Sequence, residues 1–299
     1  MKPDIDLKSP IFEQVRDWFL KESKKALKAP QKVEKAIIPI YTIPKTKEHL
    51  KKKKKFEQIG SGILIKIKDS YFVFTAEHVF EDTGEYAIAI GAGDGSPIQQ
   101  FEGSRYSSKN PNKIKKDIYD AAVYHIEVEL PENFKSKSIT LDQIDLDGYD
   151  SEKPVFLISG FRVKDSNTEG NAVRSKRKSF TTIEFKEEEY SSFKFPIESH
   201  IVLAYEDQML VDNNWKMTPR PKGMSGGGII KIIGTTTSKV SNKEIGFKQV
   251  LSAITIEQHR EIHNQPGKLI GTRLNVHLGL IYQFFPELVN DFLDSKETK

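Results

Sequence analysis

From residue 56 onward, apolar and polar positions alternate in short runs that end in Gly, Asp or Asn, the pattern of antiparallel strands rather than of helices. The runs are Gly62 to Lys68, Tyr71 to Thr75, Glu85 to Ile90, Asp120 to Val128, Val155 to Ser159, Phe180 to Phe185, Ile201 to Tyr205, Gly228 to Ile233 and Val250 to Ile256. Many short strands with turn residues between them predict an all-β sandwich or a pair of barrels. The two ends of the chain read differently. Ser9 can cap a helix, Pro10 fits its first turn, and Ile11, Phe12, Val15, Trp18 and Phe19 recur at helical spacing up to the stop at Pro30. That apolar face predicts packing on the body. A short apolar run follows, Ala36 to Tyr41. Near the other end, Val276, Leu278, Leu280, Ile281 and Phe284 predict a helix before Pro286, which Leu288 to Phe292 extend. No internal repeat is visible.

Composition narrows the picture. The chain has 299 residues, 37% hydrophobic and 29% charged, enough for one large domain or two ordinary ones. No apolar run reaches the roughly 20 residues that span a bilayer, and the start MKPDIDLKSP has no hydrophobic signal core. The absence of cysteine excludes disulfides, thiolate zinc sites and cysteine nucleophiles, and fits a cytoplasmic protein. The net charge of +4 hides an asymmetry: residues 1–55 carry sixteen bases against seven acids, and the rest is mildly acidic. Lys51 to Lys55 repel one another and predict an extended linker, with contact to an acidic partner as the sharper reading. Arg174 to Lys178 reads as a basic surface loop. Three parts are expected: a basic extension with a helix at 1–55, a first barrel at 56–145, and a second barrel with the final helix at 146–299.

Three short segments carry chemistry. Phe74-Thr75-Ala76-Glu77-His78-Val79 places a histidine just after an apolar strand. Asp120 opens the strand Ala121-Ala122-Val123-Tyr124. Gly223-Met224-Ser225-Gly226-Gly227-Gly228 embeds a serine in glycines. A serine hydroxyl needs an adjacent base to become a nucleophile. Histidine titrates near neutrality and can take and return that proton, and a carboxylate fixes its tautomer. Glycines let the backbone turn sharply and aim N–H groups at a developing oxyanion. Asp117 is a rival in the same loop; Asp120 is preferred because it stands directly before the strand. His259 and His263 are spaced like a helical metal pair, but Arg260 occupies the position of the expected glutamate, so a surface pair is the reading and no metal or cofactor is expected. His49, His125 and His200 are isolated.

These motifs, in the order His, Asp, Ser and separated by 42 and 105 residues, resemble the active-site motifs of trypsin/chymotrypsin-like serine peptidases. The resemblance covers about 56–285. It implies two antiparallel six-stranded β-barrels with the site in the cleft between them, an N-terminal helical extension lying outside the family's pattern, and a C-terminal helix matching its ending. It implies His78, Asp120 and Ser225 as the triad and the backbone N–H groups of Gly223 and Ser225 as the oxyanion hole. The strand ending in Ile256 and Glu257 is similar to the one that pairs with the substrate backbone, Gly271 falls near the pocket entrance, and Pro219 falls at the pocket base, with Arg220 and Lys222 beside it. The departures are specific. Met224 stands where secreted members carry the aspartate that receives a new N-terminus, so activation by cleavage is not expected. Glu77 replaces a small residue, without an account. Pro219 removes the basis for Lys or Arg preference; Arg220 favours acidic substrates and Glu257 the opposite.

The function these readings imply is an endopeptidase acting on a specific protein, cytosolic and bacterial. By analogy it belongs with regulated effectors of bacterial stress or antiviral systems, switched on by a partner protein. The competing reading is a non-catalytic interaction module on a peptidase scaffold. Nucleic-acid binding through 1–55 is disfavoured, because the basic segment lacks interleaved aromatic residues.

Overall fold

A computed structural model of the chain describes residues 10–44, 56–81, 83, 86–92, 98–109, 117–169, 172–205, 208–211, 214–218, 221, 223–236, 247–260 and 266–297. Helices α1 (Pro10–Lys28) and α2 (Lys32–Lys35) lead into β1 (Ile37–Pro44), β2 (Glu57–Ile67), β3 (Ser70–Ala76), β4 (Tyr86–Ile90), β5 (Gln99–Gln100), β6 (Gly103–Ser107) and β7 (Ala121–Ile126). After α3 (Glu132–Lys135) come β8 (Phe156–Glu169), β9 (Ala172–Thr182), α4 (Tyr190–Phe193), β10 (His200–Ala204), β11 (Gln208–Val211), β12 (Asn214–Met217), β13 (Gly228–Ile233), β14 (Lys248–His259) and β15 (Lys268–Arg273). Helices α5 (Leu274–Phe284) and α6 (Pro286–Glu297) end the chain.

Two antiparallel sheets hold most of these strands, in the orders β5-β4-β1-β2-β3-β7-β6 and β10-β15-β14-β13-β8-β9. Both close into barrels. β5 and β6 are one strand interrupted at Phe101–Glu102; the first half pairs with β4 and the second with β7, which joins the two edges of the sheet. In the second sheet the Phe185 N–H donates to the Val202 carbonyl at 3.0 Å and the Ala204 N–H to the Ile183 carbonyl at 2.9 Å, joining the chain just past β9 to β10. Two six-stranded barrels with a helix at each end are what the sequence led us to expect. The rings also share one order: β1-β2-β3-β7-β6-β4 corresponds position by position to β8-β9-β10-β15-β14-β13. The repeat that is invisible in the sequence is therefore present in the topology.

The strands read as almost continuously apolar because alternate residues serve different cores. Leu64 and Val73 face the interior of the first barrel with Ile38 and Ile40, whereas Ile63, Ile65, Phe72 and Phe74 face a shared layer between the barrels. In the second barrel Phe156, Ile158, Ile201 and Ile229 fill the interior, and Leu157, Ile230, Leu251 and Ile254 turn to the same shared layer. Each such side chain, fully buried, contributes about 1.5–3 kcal/mol, so the shared layer fixes the barrels against each other and the cleft between them.

Three differences from the sequence reading bear on the site. The run expected to belong to the extension is β1, and it pairs with both β2 and β4, so the first barrel takes in residues upstream of Phe56. Arg174 to Lys178 lies within β9 rather than in a loop: Ser175 is buried, and Arg177 reaches the buried Glu34 of α2 with its Nη2 3.7 Å from the carboxylate. In α1, among the side chains described, Glu22, Ser23 and Ala26 are buried and Trp18 and Phe19 half-buried, while Val15 is 56% exposed, so the helix docks on the expected side but mainly through its second half. Helices at both ends touch both barrels, α2 through β1, β13 and β14, and α5 through β7, β14 and β15. Lys51 to Lys55 lie outside the described residues.

Candidate active site

His78 and Asp120 meet because two paired strands end together. β3 and β7 are antiparallel with Ala76 opposite Ala121, so the residues just beyond those ends are neighbours. β3 runs into a single 3-10 turn, Glu77–Phe80, which carries His78. The Glu77 N–H donates to the Asp120 carbonyl at 3.0 Å and the His78 N–H to Asp120 Oδ1 at 2.9 Å. His78 Nδ1 lies 2.6 Å from Asp120 Oδ2. A carboxylate can only accept, so Nδ1 carries the hydrogen and Nε2 of the neutral ring is left as a base. Asp120 has φ +46°, a left-handed conformation that a short polar side chain tolerates and that these three bonds stabilise. The hydrogen bond to Asp120 raises the pKa of His78 above its ordinary value; burial opposes this, and the charges of Asp120, Glu81 and Glu257 add to it. Asp117 has a different task. It accepts from Ser108 Oγ at 2.5 Å and from the Tyr119 N–H at 3.0 Å, shaping the loop that delivers Asp120.

The second barrel holds that loop from the other side. His200 of β10 donates from Nε2 to the Ile118 carbonyl at 2.8 Å, and Thr272 of β15 donates from its hydroxyl to the Tyr119 carbonyl. The Tyr119 and His200 rings stack at 5.9 Å. His200 is fully buried, and burial lowers its pKa, which keeps it a neutral donor. Underneath, His277 of α5 donates from Nε2 to the Thr75 carbonyl at 3.1 Å and stacks on Phe74 at 5.3 Å; burial pulls its pKa down to about 4.

Ser225 is placed by backbone. Gly223 and Gly226 have φ +87° and +79°. A Cβ on Gly226 would lie 1.9 Å from the Ser61 carbonyl oxygen and 2.1 Å from Thr75 Oγ1, and one on Gly223 would lie 2.5 Å from Val163, so both positions require glycine. The turn is laced to both barrels. The Ser61 N–H of β2 donates to the Ser225 carbonyl at 2.8 Å; the Gly226 N–H donates to the Thr255 carbonyl of β14 at 2.8 Å, and the Thr255 N–H returns to Gly227 at 2.8 Å. Thr75 Oγ1 donates to the Ser61 carbonyl at 2.7 Å, so the strand that delivers His78 also braces the strand that holds Ser225. Gly60 lies between the two turns, since a Cβ there would meet Val79 at 2.8 Å and the Ser225 carbonyl at 3.1 Å. Met224 is fully buried in the second barrel's core and anchors the turn by apolar packing. The N–H groups of Met224, Gly226 and Gly227 donate within the fold, whereas those of Gly223 and Ser225 have no backbone acceptor among the described residues.

On the substrate side, Ile256 sits at a bulge in β14 with its side chain buried in apolar core, so only its backbone is left to meet a ligand. Glu257 is half-exposed, contributes negative potential at His78, and lies 3.4 Å from His259 Nε2. Gly271 of β15 lies opposite Thr255 and is buried. Pro219, Arg220, Lys222 and His263 lie outside the described residues. Among the described residues no group of three or more His, Asp and Glu could hold a metal ion, and no helix is long and apolar enough to cross a membrane.

Ser61, Thr75, His200, Thr272 and His277 belong to the surroundings of the site and were not singled out as such from the sequence. Thr75 lay inside the histidine motif; the others lay in ordinary strand or helix pattern.

No protein-family model matches the chain, and no curated protein does. Among solved structures it is similar to neuropsin, a serine protease expressed in the limbic system of mouse brain, with a TM-score of 0.50 and 12% identity over 85% of this chain and 96% of that one. At that identity the likeness speaks for the fold, and the fold is the trypsin-like pair of antiparallel β-barrels.

Proposed function

We propose that the protein is a serine endopeptidase in which Ser225 is the nucleophile, His78 the general base and acid, and Asp120 the residue that orients His78. The observation that carries this reading is the 2.6 Å contact of His78 Nδ1 with Asp120 Oδ2, which leaves Nε2 as the base on the turn that Gly60 separates from the Ser225 turn. His78 takes the hydroxyl proton as the Ser225 oxygen attacks the scissile carbonyl. The resulting imidazolium is stabilised by Asp120 and donates its proton to the leaving amine, giving an acyl-enzyme. Water, deprotonated by the same nitrogen, then releases the acid and restores the serine. The N–H groups of Gly223 and Ser225 hold the oxyanion in both steps, each supplying about 3 kcal/mol of barrier lowering. The buried Met224 supports a serine turn that needs no charge from a new N-terminus. β14 beyond Thr255 supplies backbone for an extended substrate, with the Glu257 carboxylate beside His78.

A digest of an unfolded whole-cell protein mixture, read by mass spectrometry of new N-termini, tests the reading. Cleavage sites that vanish in Ser225→Ala support it. Identical N-termini with the wild type and with folded Ser225→Ala would overturn it.

A further inference from the structure

Glu77 has no part in the chemistry proposed above, yet it adjoins His78 where the resembled peptidases carry a small residue. Its side chain is 5% exposed although that of His78 is 40% exposed. Its Oε2 is buried with no hydrogen-bond partner among the described residues, and burial raises its pKa. A carboxylate buried in this way lowers stability, so stability does not account for it. Its cation is Arg105 of β6, whose Nη2 stands 3.9 Å from Glu77 Oε1. The same guanidinium donates from Nη1 to the Phe80 carbonyl at 3.2 Å and lies over the Phe80 ring, 6.0 Å from its centroid. Glu77 and Phe80 are the first and last residues of the turn that carries His78.

We infer that Arg105 and Glu77 are positioning residues for His78: one guanidinium grips both ends of the Glu77–Phe80 turn and so holds the imidazole on Asp120. The planar fork matters, because one of its nitrogens donates to the Phe80 carbonyl while the other stands 3.9 Å from the Glu77 carboxylate as an ion pair, which a single ammonium does not match. β6 lends itself to this. It pairs with β7, with Arg105 opposite Tyr124, so the grip refers the histidine turn to the strand that begins after Asp120. Ser107 and Lys109 also face Glu77 and favour its charged form, while Asp120, Glu81 and Glu257 are the acids that act on His78. The inference takes its importance from the peptidase reading, but its test does not depend on turnover.

The test is an NMR titration of the His78 ring in a Ser225→Ala background, with Arg105→Met, Arg105→Lys and Glu77→Gln added singly. If these residues act on His78 only through space, removing the cation raises its pKa, removing the anion lowers it, and the lysine variant leaves it in place. If they act by holding His78 on Asp120, all three lower it, by about half a unit or more, toward the ordinary 6.5. Arg105 is 43% exposed, and Arg105→Lys keeps its charge and most of its packing, so that variant answers even if Arg105→Met unfolds. In the active protein, Arg105→Lys is expected to lower kcat about tenfold with KM nearly unchanged, the sign of a misplaced catalytic group rather than of weakened binding. Opposite shifts for Arg105→Met and Glu77→Gln, or an unmoved His78 in Arg105→Lys, would overturn the inference. Failure of the peptidase reading would show elsewhere, as an unreactive Ser225 with these shifts intact.

Discussion

His78 and Asp120 stand on the first barrel and meet through side chains, whereas Ser225 stands on the second and is set by the conformation of two glycines. The first half is titratable and built from hydrogen bonds that a single atom can break. The second half is insensitive to pH but has no room for a Cβ. The halves also lean on each other: Ser61 and Thr75 of the first barrel brace the serine turn, and His200 and Thr272 of the second hold the aspartate loop. A two-barrel site can thus be divided by chemistry between its barrels while its geometry belongs to both.

The comparison can be broken most severely at the carboxylate. Asp120→Asn keeps the shape but presents an amide to His78 Nδ1, inverting the ring's tautomer, and kcat should fall about 10³–10⁴-fold with the melting temperature nearly unchanged. Gly226→Ala attacks the other half. It forces a Cβ to within 1.9 Å of the Ser61 oxygen at φ +79°, so we expect about 2–4 kcal/mol lost in denaturant titration together with about a hundredfold lower kcat. His200→Phe tests the dependence between barrels: it leaves the Ile118 carbonyl without its donor and should cost about 1–3 kcal/mol and about tenfold in kcat. A loss of stability with kcat unchanged would mean that His200 serves folding alone.

The smallest effect separates the halves by pH. Since His78 must be neutral to act as base and its pKa is raised, kcat/KM should climb with pH through a midpoint above the ordinary 6.5, and Glu257→Gln should move that midpoint down by a few tenths. The stability linkage has its own sign. A raised histidine pKa stabilises the fold fully below about pH 6.5, and the contribution is lost as pH rises through the folded value. Gly226→Ala should lower the whole pH–rate profile without moving it.

The meeting of His78 and Asp120 was legible because each sits in a short contiguous motif at the paired ends of β3 and β7, where local sequence decides local structure. The barrels were legible as strands, but not all of them. Pro39 and Pro44 disguise β1, whose pairing is decided by β2 and β4 instead. The charges of Arg174 to Lys178 disguise a strand in which Ser175 turns inward and Arg177 finds Glu34. On α1 the expected side is the one that docks, but it is buried only in the second half of the helix, at Glu22 and Ala26, while Val15 on the same side stays exposed. The supports of the site were hidden for another reason. His200 reaches a carbonyl 82 residues away and His277 one 202 residues away, and nothing in the pattern around either residue marks a partner that only closure of the barrels brings near.

Labelling with a fluorophosphonate probe tests the central claim most directly, because the reagent reacts with a serine only when base, nucleophile and oxyanion donors are assembled. The account predicts one modified residue, Ser225, with labelling abolished in Ser225→Ala and reduced at least a hundredfold in His78→Ala. A folded wild-type protein whose Ser225 stays unmodified, or is modified equally well without His78, would contradict it.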